Sequence, residues 1–386
     1  MIKRTPTSRR KPGAHSARIV RLREVMTRHD ADAMLITDPA DVGYLTGFLG
    51  GDSYLFLGAS GKPTIISDDR YREDLEPFKK LCRVVMRKGP MWPCVAERCT
   101  AAGFADKRRK PTLMVQGDHL TLHQLNTFKK ALRGAKVPSR VISPSQGLLL
   151  SLRAVKDALE IRNLKMAIAI QEAALEATLP FAKPGVSEIE LAARLEFEMK
   201  SRGSTEVAFL PIVGAKANSS MPHYEPSPTA KIAKGKPLLI DWGATYNGYR
   251  GDMTRTFFLG RKWAPRFAGM YDAVLEAHEA AAQTLCEGVR AVDVDAAARK
   301  VIKKAGFAKN FNHGLGHGIG LNVHEQPGLG PLSGELTLKA GNVVTIEPGI
   351  YVPGYGGVRL ENDYLITKRG ATNLCTLPMT RRWSSL

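Results

Sequence analysis

The stretch DWGATYNGYRGDMTRTF, residues 241–257, ends an apolar run with one aspartate and carries a second aspartate eleven residues later. An Asn-Gly pair at 247–248 lies between them, and this pair is the strongest short signal for a two-residue β-hairpin turn. A hairpin centred on the pair places Asp241 opposite Thr254. Because side chains alternate with period two, Asp241 and Asp252 are predicted to project from one face as diagonal neighbours.

The two aspartates of this hairpin repel each other, and the apolar lead-in PLLI before Asp241 predicts that they are buried. Burial of two like charges requires a compensating cation or proton. The alternative is a pair of exposed turn carboxylates, which the apolar lead-in disfavours.

A second stretch, VVTIEPGIYVPGYGGVRLEND (residues 343–363), repeats the arrangement. Glu347 follows an apolar strand, and Glu361 comes fourteen residues later across a turn rich in proline and glycine. A hairpin centred on Gly354 places the two glutamates opposite each other. Two hairpins that each offer two carboxylates can together form a cluster of four.

Between the hairpins, the glycine-rich segment FNHGLGHGIGLNVHEQPG (residues 311–328) contains His313, His317 and His324. One histidine is usually structural, but three within twelve positions indicate function. Oxygen ligands with one imidazole favour manganese, cobalt, zinc or iron over calcium. Two divalent ions balance four carboxylates, and paired ions lower the pKa of a shared water and polarise a carbonyl group. The residues therefore predict a hydrolase.

With their flanks DWG, GDMTRT, GHGIG, IEPG and RLEND, five residues resemble the complete ligand set of the pita-bread metallopeptidases: Asp241, Asp252, His317, Glu347 and Glu361. That family includes methionine aminopeptidase, prolidase (Xaa-Pro dipeptidase) and Xaa-Pro aminopeptidase. The resemblance covers about residues 156–368. It implies that Asp241 binds one metal ion and that His317 and Glu347 bind the other. Asp252 and Glu361 would bridge the two ions, and Glu347 would also accept a proton from the bridging water.

The same resemblance implies roles for four further residues. His223, in SSMPHYEPS, matches a histidine that assists proton transfer, and His324 matches one that contacts the substrate or stabilises the tetrahedral intermediate. His313 and Arg359 match further active-site positions of the Xaa-Pro aminopeptidase type, and Arg359 would support the bridging carboxylates. The expected cofactors are two divalent ions, manganese first, with cobalt or zinc as alternatives. The expected partners are a small peptide with proline at its second position and a second copy of the chain.

Two domains are predicted. Short apolar runs such as YLTGF and TLMV alternate with helical stretches over residues 18–151, which predicts an α/β domain. Its stretch RHDADAMLITDPADVGYLTGF resembles the N-terminal domain of the creatinase, prolidase and Xaa-Pro aminopeptidase branch, and this disfavours methionine aminopeptidase. Residues 152–386 are predicted to form the α+β pita-bread catalytic domain. Residues 151–185 are expected to form one long amphipathic helix, and the SEIE capping box at 187–190 opens the next.

Charge and composition bound the remaining possibilities. The formal net charge is +19, and residues 1–17 are predicted to be a basic, disordered tail. Nucleic-acid binding is not expected, because no recognised binding motif accompanies the charge. The sequence contains no run of about 18 apolar residues, so no membrane span is predicted. The five cysteines are scattered and are expected to be reduced thiols. A cytoplasmic location is expected, with an organelle transit peptide as the alternative that the arginine-rich start allows.

The sequence therefore predicts a dinuclear metal-dependent exopeptidase that cuts between an N-terminal residue and a following proline, as an aminopeptidase or a dipeptidase. A non-catalytic pita-bread binding protein is one alternative, which the complete ligand set disfavours. A metal-dependent lyase on the same scaffold stays open, because a fold does not fix its substrate.

Overall fold

The structure, a computed structural model, describes residues 12–106 and 108–386. These residues form two compact units, one ending at Arg153 and the other running from Ala154 to Leu386. The predicted disordered tail of residues 1–17 is partly wrong, because a helix begins at Pro12. Apolar side chains at positions 19, 22 and 26 of that helix are buried, and this amphipathic face fixes it to the unit. Residues 1–11 of the predicted tail lie outside the described chain.

The first unit is built on a six-stranded mixed sheet. Its helices are α1 (Pro12–Arg28), α2 (Pro39–Thr46), α3 (Met91–Ala101), α4 (Leu122–Gly134) and α5 (Leu148–Ala154). Its strands are β1 (Ala33–Ile36), β2 (Tyr54–Gly58), β3 (Thr64–Ser67), β4 (Arg83–Met86), β5 (Leu113–Gln116) and β6 (Ile142–Ser145). The strand order is β4-β3-β2-β1-β5-β6, with β1 antiparallel to β2 and parallel to β5. This unit is the α/β domain that the alternating pattern predicts.

The run YLTGF was predicted to be strand-like, but Tyr44 to Thr46 form the end of α2. Asp38 caps this helix through a hydrogen bond from Ala40 N, and a proline occupies its first position. Gly47 ends the helix in the left-handed conformation, with φ of 84°. These three local signals outweigh the strand propensity of the aromatic and branched residues.

The second unit contains helices and short antiparallel sheets. Its helices are α6 (Ala158–Thr178), α7 (Glu188–Ser201), α8 (Pro265–Thr284) and α9 (Ala291–Lys304). Its strands are β7 (Ile212–Ala215), β8 (Pro237–Trp242), β9 (Thr245–Tyr246), β10 (Tyr249–Arg250), β11 (Met253–Phe258), β12 (Gly316–Gly318), β13 (Glu325–Leu329), β14 (Val343–Ile346), β15 (Gly349–Val352), β16 (Gly356–Arg359), β17 (Asn362–Thr367) and β18 (Gly370–Asn373). Strands β11-β8-β7 form one sheet and β13-β12-β14-β17-β18 another.

The prediction of a single helix over residues 151–185 is wrong, because the helical conformation is interrupted between α5 and α6. Asp157 forms a complete capping box with Glu160, and this starts a new helix at Ala158. Val155, in the break, forms an isolated antiparallel bridge with Asn342. The capping box predicted at Ser187 is present and opens α7.

A continuous apolar core supports the sheets of the second unit. Helices α8 and α9 pack together and bury residues such as Tyr271, Val274 and Ile302. The same cluster includes Val344 of β14 and Ile366 of β17. Every residue of β8 and β11 is buried, so the strands that end or begin next to the two predicted aspartates have little access to solvent.

Candidate metal centre

The first hairpin has the register that the sequence predicts. Asp241 pairs with Thr254, as expected for a turn centred on Asn247 and Gly248. Both turn residues have positive φ, 50° and 81°, which is the requirement of a type I′ turn. Asp252 directly precedes β11, and both aspartates are buried.

The second hairpin also has its predicted register, although its strands belong to two different sheets. Gly349 pairs with Arg359 in β15 and β16, and Ile346 pairs with Asn362 in β14 and β17. Glu347 and Glu361 occupy the interruption between these two pairings, opposite each other. Buried strands thus lead directly to both carboxylates.

The two hairpins and the glycine-rich segment converge on one buried cluster. Potential ligand atoms of Asp252, His317 and Glu361 all lie within 4.8 Å of one another. His317 Nε2 is 3.3 Å from Glu347 Oε1 and 3.6 Å from Asp252 Oδ2. Asp241, the fourth carboxylate, forms a buried ion pair with Arg359, and its charge acts on Asp252.

The carboxylates of this cluster strongly affect one another's ionisation. Burial, followed by the charges of Glu361 and Asp241, raises the pKa of Asp252 well above its usual range. Burial, followed by the charges of Glu347 and Asp241, does the same to the pKa of Glu361. Burial also acts to raise the pKa of Glu347, but hydrogen bonding and charge from His317 outweigh it and hold that pKa at about 2. Such a group of mutually repelling carboxylates is stabilised when a cation replaces its protons.

The donor set of the cluster fits divalent metal ions. Asp241 Oδ1 is buried and has no hydrogen-bond partner among the described residues, so its lone pairs are available. His317 Nδ1 lies 3.1 Å from the carbonyl oxygen of Gly318, and donation to that oxygen leaves Nε2 to face the carboxylates. This arrangement, with one ring nitrogen held by a backbone carbonyl, is the usual one for a metal-binding histidine.

Arg359 is buried beside the cluster and connects several of its members. It donates to Thr254 Oγ1 at 2.9 Å and to Tyr351 Oη at 2.9 Å, in addition to Asp241. Thr254 Oγ1 in turn donates to Glu361 Oε2 at 2.7 Å. The guanidinium therefore fixes carboxylates from both hairpins.

Tyr351 is a site residue that the sequence analysis missed. Its hydroxyl lies 3.0 Å from His313 Nε2, whose other ring nitrogen lies 2.7 Å from the carbonyl oxygen of Gly314. His313 therefore donates to that carbonyl through Nδ1 and accepts the tyrosine hydroxyl through Nε2. The alternation of a strand could have revealed Tyr351, because positions 347, 349 and 351 share one face.

The two remaining predicted histidines lie at the edge of the cluster. The ring of His324 contacts that of His317 edge to face, with centroids 4.4 Å apart. Burial, followed by the nearby charges of His317, lowers the pKa of His324, and His223 is close enough to contribute to the same effect. His223 itself is exposed, on the loop that follows the short 3₁₀ helix Lys216–Ser220.

A buried set of carboxylates with one facing imidazole lies within the α+β unit, which follows an α/β unit in the chain, and this combination is that of a metallopeptidase. The family is shown by the matches: the model of Metallopeptidase family M24 matches residues 162–368, and the chain belongs to this family. The Creatinase/Prolidase N-terminal domain matches residues 18–155. The predicted family and fold class are thereby confirmed, and so is the prediction of a metallopeptidase.

Individual relatives agree with this assignment over nearly the whole chain. The chain is 32% identical over 359 residues to the Xaa-Pro dipeptidase of Pyrococcus furiosus, covering 92% of this chain and 97% of that protein. The structure of an Xaa-Pro dipeptidase from Bacillus anthracis is similar, with a TM-score of 0.87, 33% identity, and coverage of 94% and 98%. An X-Pro aminopeptidase from Thermotoga maritima gives a TM-score of 0.83 at 31% identity, with coverage of 94% and 98%.

None of the helices formed by residues 12–106 and 108–386 is long and apolar enough to cross a membrane. The five cysteines are free thiols.

Proposed function

We propose that this chain is an exopeptidase that hydrolyses the bond between an N-terminal residue and a following proline. Two divalent ions would be held by Asp241, Asp252, His317, Glu347 and Glu361. The observation that supports the proposal best is the buried convergence of these ligands, in which Asp241 Oδ1 has no hydrogen-bond partner among the described residues. The relatives named Xaa-Pro dipeptidase and X-Pro aminopeptidase support the substrate class.

The bound ions would activate water and polarise the scissile carbonyl group. The chain's own residues would then handle the protons. Glu347, whose Oε1 accepts a hydrogen bond from Thr345 Oγ1 at 3.2 Å, would accept the proton of the attacking water. His223, whose side chain is exposed, would pass a proton to the proline nitrogen as the peptide bond breaks.

The other polar residues would bind and orient. His324, packed against the ring of His317, would donate a hydrogen bond to the carbonyl oxygen of the substrate. Arg359 would hold Asp241 in its ligating orientation. His313 would act through Tyr351, because its Nε2 already accepts the tyrosine hydroxyl that bonds Arg359.

Hydrolysis of a matched peptide set tests this proposal. The protein would be stripped of metal, reconstituted with manganese, cobalt or zinc, and given an Xaa-Pro dipeptide, an Xaa-Pro-Xaa tripeptide and an Xaa-Ala control. Cleavage that needs metal and is confined to the proline peptides is expected, and the ratio of dipeptide to tripeptide rates chooses between dipeptidase and aminopeptidase. Binding of two ions without any cleavage would overturn the substrate class and leave the ligand set intact.

We also propose that the chain forms a homodimer, as the resemblance implies. Light scattering coupled to size exclusion is expected to give twice the chain mass of 42.2 kDa. A mass of one chain would refute it. The cytoplasmic location stays a prediction.

A further inference from the structure

A buried carboxylate outside the metal cluster holds the loop that carries His223. Glu188 lies in the first turn of α7 and has no exposed surface. The segment here called the His223 loop comprises residues 215–227; it begins at the last residue of strand β7 and includes the short 3₁₀ helix Lys216–Ser220. Its ends and its centre all contact Glu188.

Four donors of the His223 loop converge on the two oxygens of Glu188. Oε1 accepts from Ala215 N at 2.7 Å and from Asn218 Nδ2 at 3.0 Å. Oε2 accepts from Tyr224 Oη at 2.7 Å and from Ser227 N at 3.1 Å. One side chain thus binds both ends of the loop and the residue next to His223.

The carboxylate is not required by its own helix. Ser187 and Glu190 form the capping box that begins α7, so the free N–H groups at the start of the helix are capped without the side chain of Glu188. The described residues also include no lysine or arginine in an ion pair with Glu188. Its charge is instead balanced by the four hydrogen bonds and by the positive end of the helix dipole. A buried charge is costly, so its presence requires another reason.

The chemistry of the four contacts explains why a carboxylate stands there. Each carboxylate oxygen can accept two hydrogen bonds, and all four groups around Glu188 can donate. A glutamine would turn an NH₂ group toward two of these donors, which would lose their acceptor. The contacts therefore select a carboxylate and fix the path of the loop.

His223 lies between two tethers. On one side Tyr224 is bound by Glu188 through its hydroxyl, and Asn218 Nδ2 donates to that same hydroxyl at 2.7 Å. On the other side the carbonyl oxygen of Pro222 faces Arg359 Nη1 at 3.5 Å. The imidazole is exposed, and both residues next to His223 are held by these contacts.

We propose that Glu188 is a positioning residue that sets the place of the His223 imidazole relative to the scissile bond. This inference rests on the proposed role of His223. Because a proton donor acts in the transition state, loss of its position lowers kcat and leaves KM nearly unchanged. A displacement of about 1 Å can reduce a rate about 100-fold.

The test compares Glu188→Gln with Glu190→Gln, a matched control on the same helix turn that keeps the capping box, in which glutamine can replace glutamate, and leaves the loop contacts intact. We expect Glu188→Gln to lower kcat about 100-fold with KM changed less than about threefold and with metal content unchanged. Glu190→Gln is expected to change the melting temperature little and to keep kcat within about twofold.

A double-mutant cycle separates positioning from general damage. If Glu188 acts through His223, adding Glu188→Gln to His223→Ala costs no further activity. Hydrogen exchange gives a readout independent of activity: in Glu188→Gln, the amide hydrogen of Ala215 or of Ser227, whichever faces the NH₂ group of glutamine, should exchange faster. Should that variant fail to fold, Tyr224→Phe removes one of the four contacts and should give a smaller loss of kcat with the same pattern.

Three results would overturn the inference: a Glu188→Gln kcat within about twofold of wild type, fully additive losses in the double variant, or unchanged amide exchange. A wild-type protein that cuts no Xaa-Pro peptide would refute the proposed function instead. The exchange experiment would then still test whether Glu188 holds the His223 loop.

Discussion

Replacement of Arg255 by lysine should destabilise the second unit strongly, although it keeps the charge. Arg255 is completely buried on β11, and all five of its donor hydrogens are used. The acceptors are the carbonyl oxygens of Thr254 (3.0 Å), Glu361 (2.6 Å), Leu377 (2.7 Å) and Pro378 (3.2 Å), and the side-chain oxygen of Asn362 (2.8 Å). The guanidinium thus connects both hairpins of the carboxylate cluster to the C-terminal segment.

The size of the effect follows from counting donors. An ammonium group offers three hydrogens where the guanidinium offers five, so at least two acceptors lose this donor. Because the Thr254 carbonyl also accepts from Glu361 N, one or two of them are left unsatisfied. Each buried acceptor left unsatisfied costs about 1–3 kcal/mol, which gives a loss of about 1–6 kcal/mol for Arg255→Lys. Domains of this kind are stable by about 5–15 kcal/mol in total, so the loss is a large fraction.

Urea unfolding of the metal-free protein, followed by circular dichroism and tryptophan fluorescence, measures this loss. Arg290→Lys is the matched control, because Arg290 is about half exposed and pairs with Asp293 at the surface. The control should change the free energy of unfolding by no more than about 0.5 kcal/mol. An Arg255→Lys loss below about 1 kcal/mol, or one equal to the control, would refute the reasoning.

Three further predictions concern the cluster, a close backbone approach and a core histidine. Asp252→Asn removes a carboxylate that is proposed to bridge the two metal ions, and it should reduce bound manganese from two ions to less than one per chain. Elemental analysis measures this content, and two ions retained would refute the proposed ligand role. Gly243→Ala would place a Cβ atom 2.0 Å from the Gly251 carbonyl oxygen and should cost about 1–3 kcal/mol, whereas Gly269→Ala, in open space on α8, should be neutral or stabilising. Burial lowers the pKa of His278 to about 3. Below about pH 6.5 the unfolded chain therefore binds a proton at this histidine that the folded chain does not bind, and stability falls as the pH drops toward 3. His278→Phe should remove about 3 kcal/mol of that loss at about pH 4.5, and equal pH slopes in urea titrations of both proteins would contradict it.

Much of the candidate site follows from the sequence because it depends on local rules. The Asn-Gly turn and the alternation of strand side chains fix the register of the first hairpin, and the structure has that register. The Pro- and Gly-rich turn around Gly354 does the same for the second. Where local signals compete, the sequence alone misleads: the break before Ala158 follows from a capping box that the apolar periodicity conceals.

The sequence by itself determined the fold class and both hairpin registers, and it supplied the residues that resemble a metal ligand set, because turn chemistry and period-two alternation act over a few residues. Only the tertiary structure decided that the hairpins meet, that Tyr351 joins His313 to Arg359, and that Glu188 and Arg255 hold distant segments. Those contacts link positions between 8 and 123 residues apart. Their formation depends on packing between segments that are distant in the chain, as α8 and α9 pack against β14 and β17, and no local pattern encodes such packing.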